Sequence, residues 1–153
     1  MIKSKDELWK QFLEKNPSNR DLSDIIESVY TYDLELLEKA SKQLMTQNPS
    51  NGDLTHILDC SELFQNSEVT EEACIQLLEK NPDNKDLVHI IRYSDNQKRV
   101  EEACTQLLEK NPSSYDISVI IMNSMHGITI EKAKKMTESK KYELMTRLIE
   151  FDG

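Results

Sequence analysis

The side chains able to do chemistry beyond acid and base are few: His56, His89 and His126, and Cys60, Cys74 and Cys104. A zinc site needs them at ligand spacing, and a nucleophile needs an activating base beside it. The cysteines are odd in number and form no C-x-x-C pair, so no disulfide framework is implied. Cys74 and Cys104 sit at equivalent places in two near-identical segments, each after an alanine, and read as buried reduced thiols serving as small hydrophobes. Equivalent residues of stacked helical units stand about 8–10 Å apart, beyond the reach of a disulfide. His56 and His89 are likewise equivalent, too far apart to share a metal and without a third ligand. His126 precedes Gly127 and reads as a turn residue. There is no G-x-S-x-G, P-loop, H-E-x-x-H or Gly-rich strand-to-helix turn. Helix starts and exposed faces account for the carboxylates, and no pair stands out as an acid/base couple. The expectation is a protein that is not an enzyme and uses neither cofactor nor metal.

What positions these residues is a repeat. Glu7 to Ile26, Lys39 to Leu58, Glu72 to Ile91 and Glu102 to Ile121 share one pattern of acidic start, apolar stripe, Asn-Pro break, Asp and second apolar stripe; Pro17, Pro49, Pro82 and Pro112 are 32, 33 and 30 residues apart. Glu71 to Pro82 and Glu101 to Pro112 differ at one position in twelve. The first copy has Trp9 where the two later ones have cysteine, and a fifth, beginning at Glu131-Lys132-Ala133, replaces Asn-Pro by Lys141-Tyr142 before Met145, Leu148 and Ile149. A period in this range marks a helical solenoid whose units bury their apolar faces only by stacking, with atypical terminal units.

Each copy reads as helix, break, helix. Ala73, Cys74, Leu77 and Leu78 fall on one helical stripe, Glu71 and Glu72 open the helix and Lys80 closes it, as the macrodipole favours. Asn81 is barred from the α conformation by Pro82. Asp83-Asn84-Lys85-Asp86, with its counterparts ending at Asp21, Asp53 and Asp116, then has the form of a capping box. Asp is shorter than the usual Glu, which leaves the second bond of the box open. The fold expected is all-α: a right-handed α-solenoid of about five helix-turn-helix hairpins, four full repeats plus a degenerate C-terminal cap. A single domain spans 1–153, with repeats at about 6–32, 36–66, 69–97 and 99–127 and a cap at 129–150.

The run from Glu71 to Asn84 resembles the second helix and exit turn of a tetratricopeptide repeat, and the resemblance covers residues 6–124. That family has 34-residue repeats with a Trp, Leu-Gly and Tyr signature; here the spacing is shorter and Asp86 to Tyr93 has no glycine. Asn-Pro followed by a Leu-containing helix also resembles leucine-rich-variant and HEAT-like arrays. Either resemblance implies a surface for protein binding.

Three residues beyond each capping Asp lie Asp24, His56, His89 and Val119, and one turn further Glu27, Asp59, Arg92 and Met122. These variable positions are the expected partner-binding ribbon, against the plainer alternative of a solvated helix face. The net charge of −9 disfavours nucleic acid and favours a basic protein or peptide. Residues 131–149 are the exception, with six cations including Lys134 and Lys135 against three glutamates, a net +3. No apolar stretch suits a signal peptide or a membrane span, so a soluble cytoplasmic protein is expected, monomeric or weakly self-associating. Two functions fit: a scaffold or adaptor holding a peptide or protein, and a small acidic inhibitor, an immunity or anti-defence protein, that blocks a basic toxin or nuclease.

Overall fold

The computed structural model describes residues 2–29, 32–64 and 67–152. Among these the chain is all-α: α1 Lys5–Glu14, α2 Asn19–Val29, α3 Leu34–Thr46, α4 Asn51–Asp59, α5 Glu68–Glu79, α6 Asn84–Tyr93, α7 Gln97–Glu109, α8 Ser114–Asn123 and α9 Gly127–Asp152, with a 3₁₀ turn at Ser61–Leu63. Residues 65 and 66, the end of the second expected repeat, lie outside the described residues. The chain divides into two compact units, Met1–Asn81 and Pro82–Gly153, and the division falls inside an Asn-Pro pair. In the first, α2 packs on α3, α4 on α5, and α3 and α4 each touch more than one neighbour; in the second, α6 packs on α7, α8 on α9, and α6 on α8. Leu22, Ile26, Leu37, Leu44, Leu54, Ile57 and Leu58 fill the first core, and Leu87, Ile90, Leu107 and Ile117 the second.

The break does more than stop a helix. Asn16, Asn48, Asn81 and Asn111 all have φ between 49° and 53°. Asparagine is one of the few residues with a Cβ that enters the left-handed region readily, and a helix commonly ends on such a residue. Replacing Asn111 by glycine is therefore expected to leave stability nearly unchanged, whereas valine should cost roughly 1–2 kcal/mol, measured by urea unfolding. Past each proline both bonds of the capping box form despite the short Asp. The N–H of Ser18, Ser50, Asp83 and Ser113 donates to the carboxylate of Asp21, Asp53, Asp86 and Asp116 at 3.2, 3.0, 3.0 and 2.8 Å. The returning N–H donates to the cap oxygen at 3.1, 3.1, 2.8 and 3.1 Å.

Consecutive copies are stitched at these breaks. Gln47 Nε2 donates to the Pro17 carbonyl at 3.0 Å, and at the equivalent position Lys80 and Lys110 donate through Nζ to the carbonyls of Pro49 and Pro82. One turn earlier Gln43 reaches the Leu13 carbonyl at 3.1 Å and Gln76 the Met45 carbonyl at 3.2 Å. Each links a helix end to the copy before it. Lys80 thus has a specific acceptor, where the sequence suggested only a favourable dipole.

The C-terminal cap departs from expectation. Instead of a fifth hairpin, α9 is one helix of 26 residues. Its start matches the earlier copies, and Ala133 is fully buried. Lys141-Tyr142 has neither the left-handed asparagine nor the proline, so nothing interrupts the backbone hydrogen bonding. Met145, Leu148 and Ile149 consequently lie exposed on the far half of α9.

One buried position is poorly matched. Ser41 occupies the place of Cys74 and Cys104, fully buried, and its hydroxyl has no hydrogen-bond partner. Ser41→Cys should stabilise the first unit by roughly 1 kcal/mol, seen as a higher urea midpoint at unchanged slope.

Candidate functional site

The expected ribbon falls into two parts, one in each unit. In the first, Asp24 is exposed on α2 and His56 half-buried on α4, on helices that pack together. Further along, Glu27 and Asp59 are exposed. In the second unit His89 is half-buried on α6, its Nδ1 2.9 Å from the Lys85 carbonyl. The Tyr93 ring stacks at a tilt 6.1 Å from His89, and the exposed Arg92 guanidinium lies 5.7 Å over the same ring. A cation over an aromatic face is held by the ring quadrupole. Met122, on α8 beside α6, is 82% exposed. His89, Arg92, Tyr93 and Met122 thus give neighbouring helices a mixed aromatic, cationic and thioether surface.

Val119 does not join it. At 6% exposure it belongs to the second core, because α8 is packed by α6, α7 and α9 together and an aliphatic residue at that register turns inward. Lys134 and Lys135 are exposed on α9, Lys134 lying 3.9 Å from Glu131.

The thiols are placed for packing. All three cysteines are free and buried. Burial, helped by the Asp59 charge, pushes the Cys60 thiol up to about 11; burial and the Glu101 charge push Cys104 up to about 12. Neither is an activated thiolate. Among the described residues no group of three or more His, Cys, Asp and Glu side chains could hold a metal ion, and no helix is long and apolar enough to cross a membrane.

Two features escaped the sequence. The first is a cleft of about 430 Å³ between α1 and α3, floored by Trp9, Leu13 and Leu36 and ringed by Asp6, Glu14, Asp33 and Glu35 with Lys10 and Lys39. Trp9 in place of a small residue was its only signal. The second is Glu101, 6% exposed, which accepts hydrogen bonds from the Met125 N–H at 2.7 Å, Ser124 Oγ at 2.8 Å and Gln97 Nε2 at 2.8 Å. His126 Nδ1 is 3.7 Å away, so the connection between α8 and α9 is fastened by a carboxylate on α7.

No family model, curated protein or solved structure matches the chain.

Proposed function

We propose that the chain is a helical-repeat scaffold or adaptor, a non-enzymatic cytoplasmic module. Its hairpins continue as a tetratricopeptide-like right-handed solenoid that holds a peptide or protein partner. The observation supporting this reading is a division of labour. Residues that agree between copies are spent on structure: the left-handed asparagines, the capping aspartates, the leucines of the core and the side chains that reach a preceding carbonyl. Positions that vary along the copies, held by Asp24, His56 and His89 and by Arg92 and Met122, are open to solvent wholly or in part on the second helices, with Val119 the buried exception. Repeat proteins bind through such positions. The net charge of −9 makes a basic partner the better fit.

The test is affinity capture from native lysate by the parent chain and by the triple variant His56→Ala, His89→Ala, Arg92→Ala. Helical circular dichroism should be unchanged and recovery of the partner should fall about tenfold or more, as expected when interface anchors are removed. Undiminished capture, or loss of folding, would reject these faces. A tight stoichiometric complex in which the partner loses an enzymatic activity would assign the acidic-inhibitor role instead.

A further inference from the structure

Trp9 sets the first copy apart. Later copies bury Ser41, Cys74 and Cys104 at its place, so the packing those copies share does not require an indole. Here the ring is half-buried on α1, a helix with no buried residue, and is steadied by an edge contact with Phe12, ring centres 6.3 Å apart at 88°. Its N–H is out of water without an acceptor. The indole lines two hollows of the first unit. One is the α1/α3 cleft; the other, about 300 Å³, is lined by Lys5, Leu8 and Phe12 as well. At 100° per residue, Asp6, Lys10, Leu13 and Glu14 fall on one side of Trp9 around α1 and the residues of the second hollow on the other.

The cleft is anionic, and its charges are not equally engaged. Asp33 caps α3 by accepting from the Leu36 N–H at 3.0 Å, and Glu35 holds Lys39 at 2.8 Å. The Lys39 pKa is raised first by that hydrogen bond and the Glu35 charge, then, against desolvation, by Asp6 and Asp33. With the Glu35–Lys39 pair set aside, Asp6, Glu14 and Asp33 stand against Lys10 alone among the lining residues, a net −2. A guanidinium suits such a place, because it stacks on aromatic rings and offers carboxylates two N–H groups at once. The indole N–H in turn lacks only a carbonyl, which a peptide backbone carries. An exposed apolar hollow alongside, with Leu8 54% exposed, gives a neighbouring side chain somewhere to lie.

We propose that the α1/α3 cleft is a recognition site for an arginine side chain of a protein segment, with an apolar neighbour of that arginine lying in the Leu8–Phe12 hollow on the other side of Trp9. The guanidinium pairs with Asp6 and Glu14, and a carbonyl of the segment accepts from the indole N–H. The site is built on first helices and shares no residue with the second-helix faces proposed above, so either can fail without the other.

Fluorescence of Trp9, the sole tryptophan, reads the cleft directly in the full chain. Titration with acetyl-Leu-Arg-Leu-amide should change the emission saturably. Citrulline in place of arginine keeps the shape without the charge and should bind about tenfold more weakly or worse. Acetyl-arginine amide should also bind roughly tenfold more weakly, having no apolar side chain to bury. Asp6→Asn with Glu14→Gln should lower affinity about tenfold at unchanged circular dichroism, since the capping box of α1 uses Ser4 and Glu7. Trp9→Cys, which installs the residue of two later copies, should lose binding as read by calorimetry. No saturable change, equal binding of the citrulline probe, or undiminished binding by the folded Asp6/Glu14 variant would each overturn the proposal. Equal binding of acetyl-arginine amide would overturn it too, by making the ligand a free guanidinium compound and not a segment.

Discussion

Leu44→Ala is expected to destabilise the protein by about 2–5 kcal/mol. Leu44 is fully buried on α3, the helix that packs against both α2 and α5. Its equivalents Leu77 and Leu107 are also fully buried, so the position belongs to the shared core and has no special local role. Alanine leaves a cavity whose walls are held by helices on two sides, and partial collapse sets where in that range the loss falls. Leu44→Met keeps the volume and should cost less than about 1.5 kcal/mol. Denaturant unfolding at neutral pH distinguishes them. A loss below about 1 kcal/mol for alanine would mean that α3 is not wedged between its neighbours.

Glu101→Gln is expected to cost about 1.5–3 kcal/mol at neutral pH, the range for hydrogen bonds to a buried charged group. The amide can keep one acceptor but turns a donor toward the Met125 N–H or the Ser124 hydroxyl. Burial raises the pKa of Glu101. The Met125, Ser124 and Gln97 donors and the His126 charge outweigh it, so the carboxyl is held below the ordinary range. A folded pKa below the unfolded one stabilises the fold above the unfolded value of about 4.3, and that contribution is lost as pH falls through the folded value. The gap between parent and Gln variant, read by urea unfolding, should therefore narrow between pH 5 and pH 3. Amide exchange at Met125 and His126 should quicken in the variant. An equal gap at both pH values would show that the charge plays no part.

How far the sequence could be read depended on whether the cause of a feature lay near it in the chain. The Asn-Pro break and the capping Asp act over three or four residues, and helix boundaries follow them closely, as at Asn19, Asn51, Asn84 and Ser114. The same locality misled at the fifth copy. A turn was expected from the analogy, although the residues that make the turn were missing, and α9 runs straight on. Val119 was placed on the surface by register alone, yet at the register where the polar ring of His89 stays half-exposed on α6 the shorter aliphatic side chain of Val119 is buried on α8. The bonds from Ser124 and Met125 to Glu101 span 23 and 24 residues, and the α1/α3 cleft joins Asp6 to Glu14 with Asp33 to Lys39, separations that no periodicity reports. The lysines that reach proline carbonyls looked like ordinary helix-end cations for the same reason.

Those proline stitches also set where the chain can change length. From Leu34, Glu68 and Gln97, the starts of three first helices, to the prolines that end them is 15, 14 and 15 residues. From Pro17, Pro49 and Pro82 to the next first helix is 17, 19 and 15. The differences in period thus accumulate mainly in the connections after the second helices, where no stitch has to be kept in phase. An insertion between Lys80 and Pro82 would throw a donor off its acceptor and a left-handed residue off its proline. One beside the 3₁₀ turn at Ser61–Leu63 would disturb neither. Copies of unequal length can therefore follow one another in this chain, and a longer connection offers a place to add residues without disturbing the helices on either side.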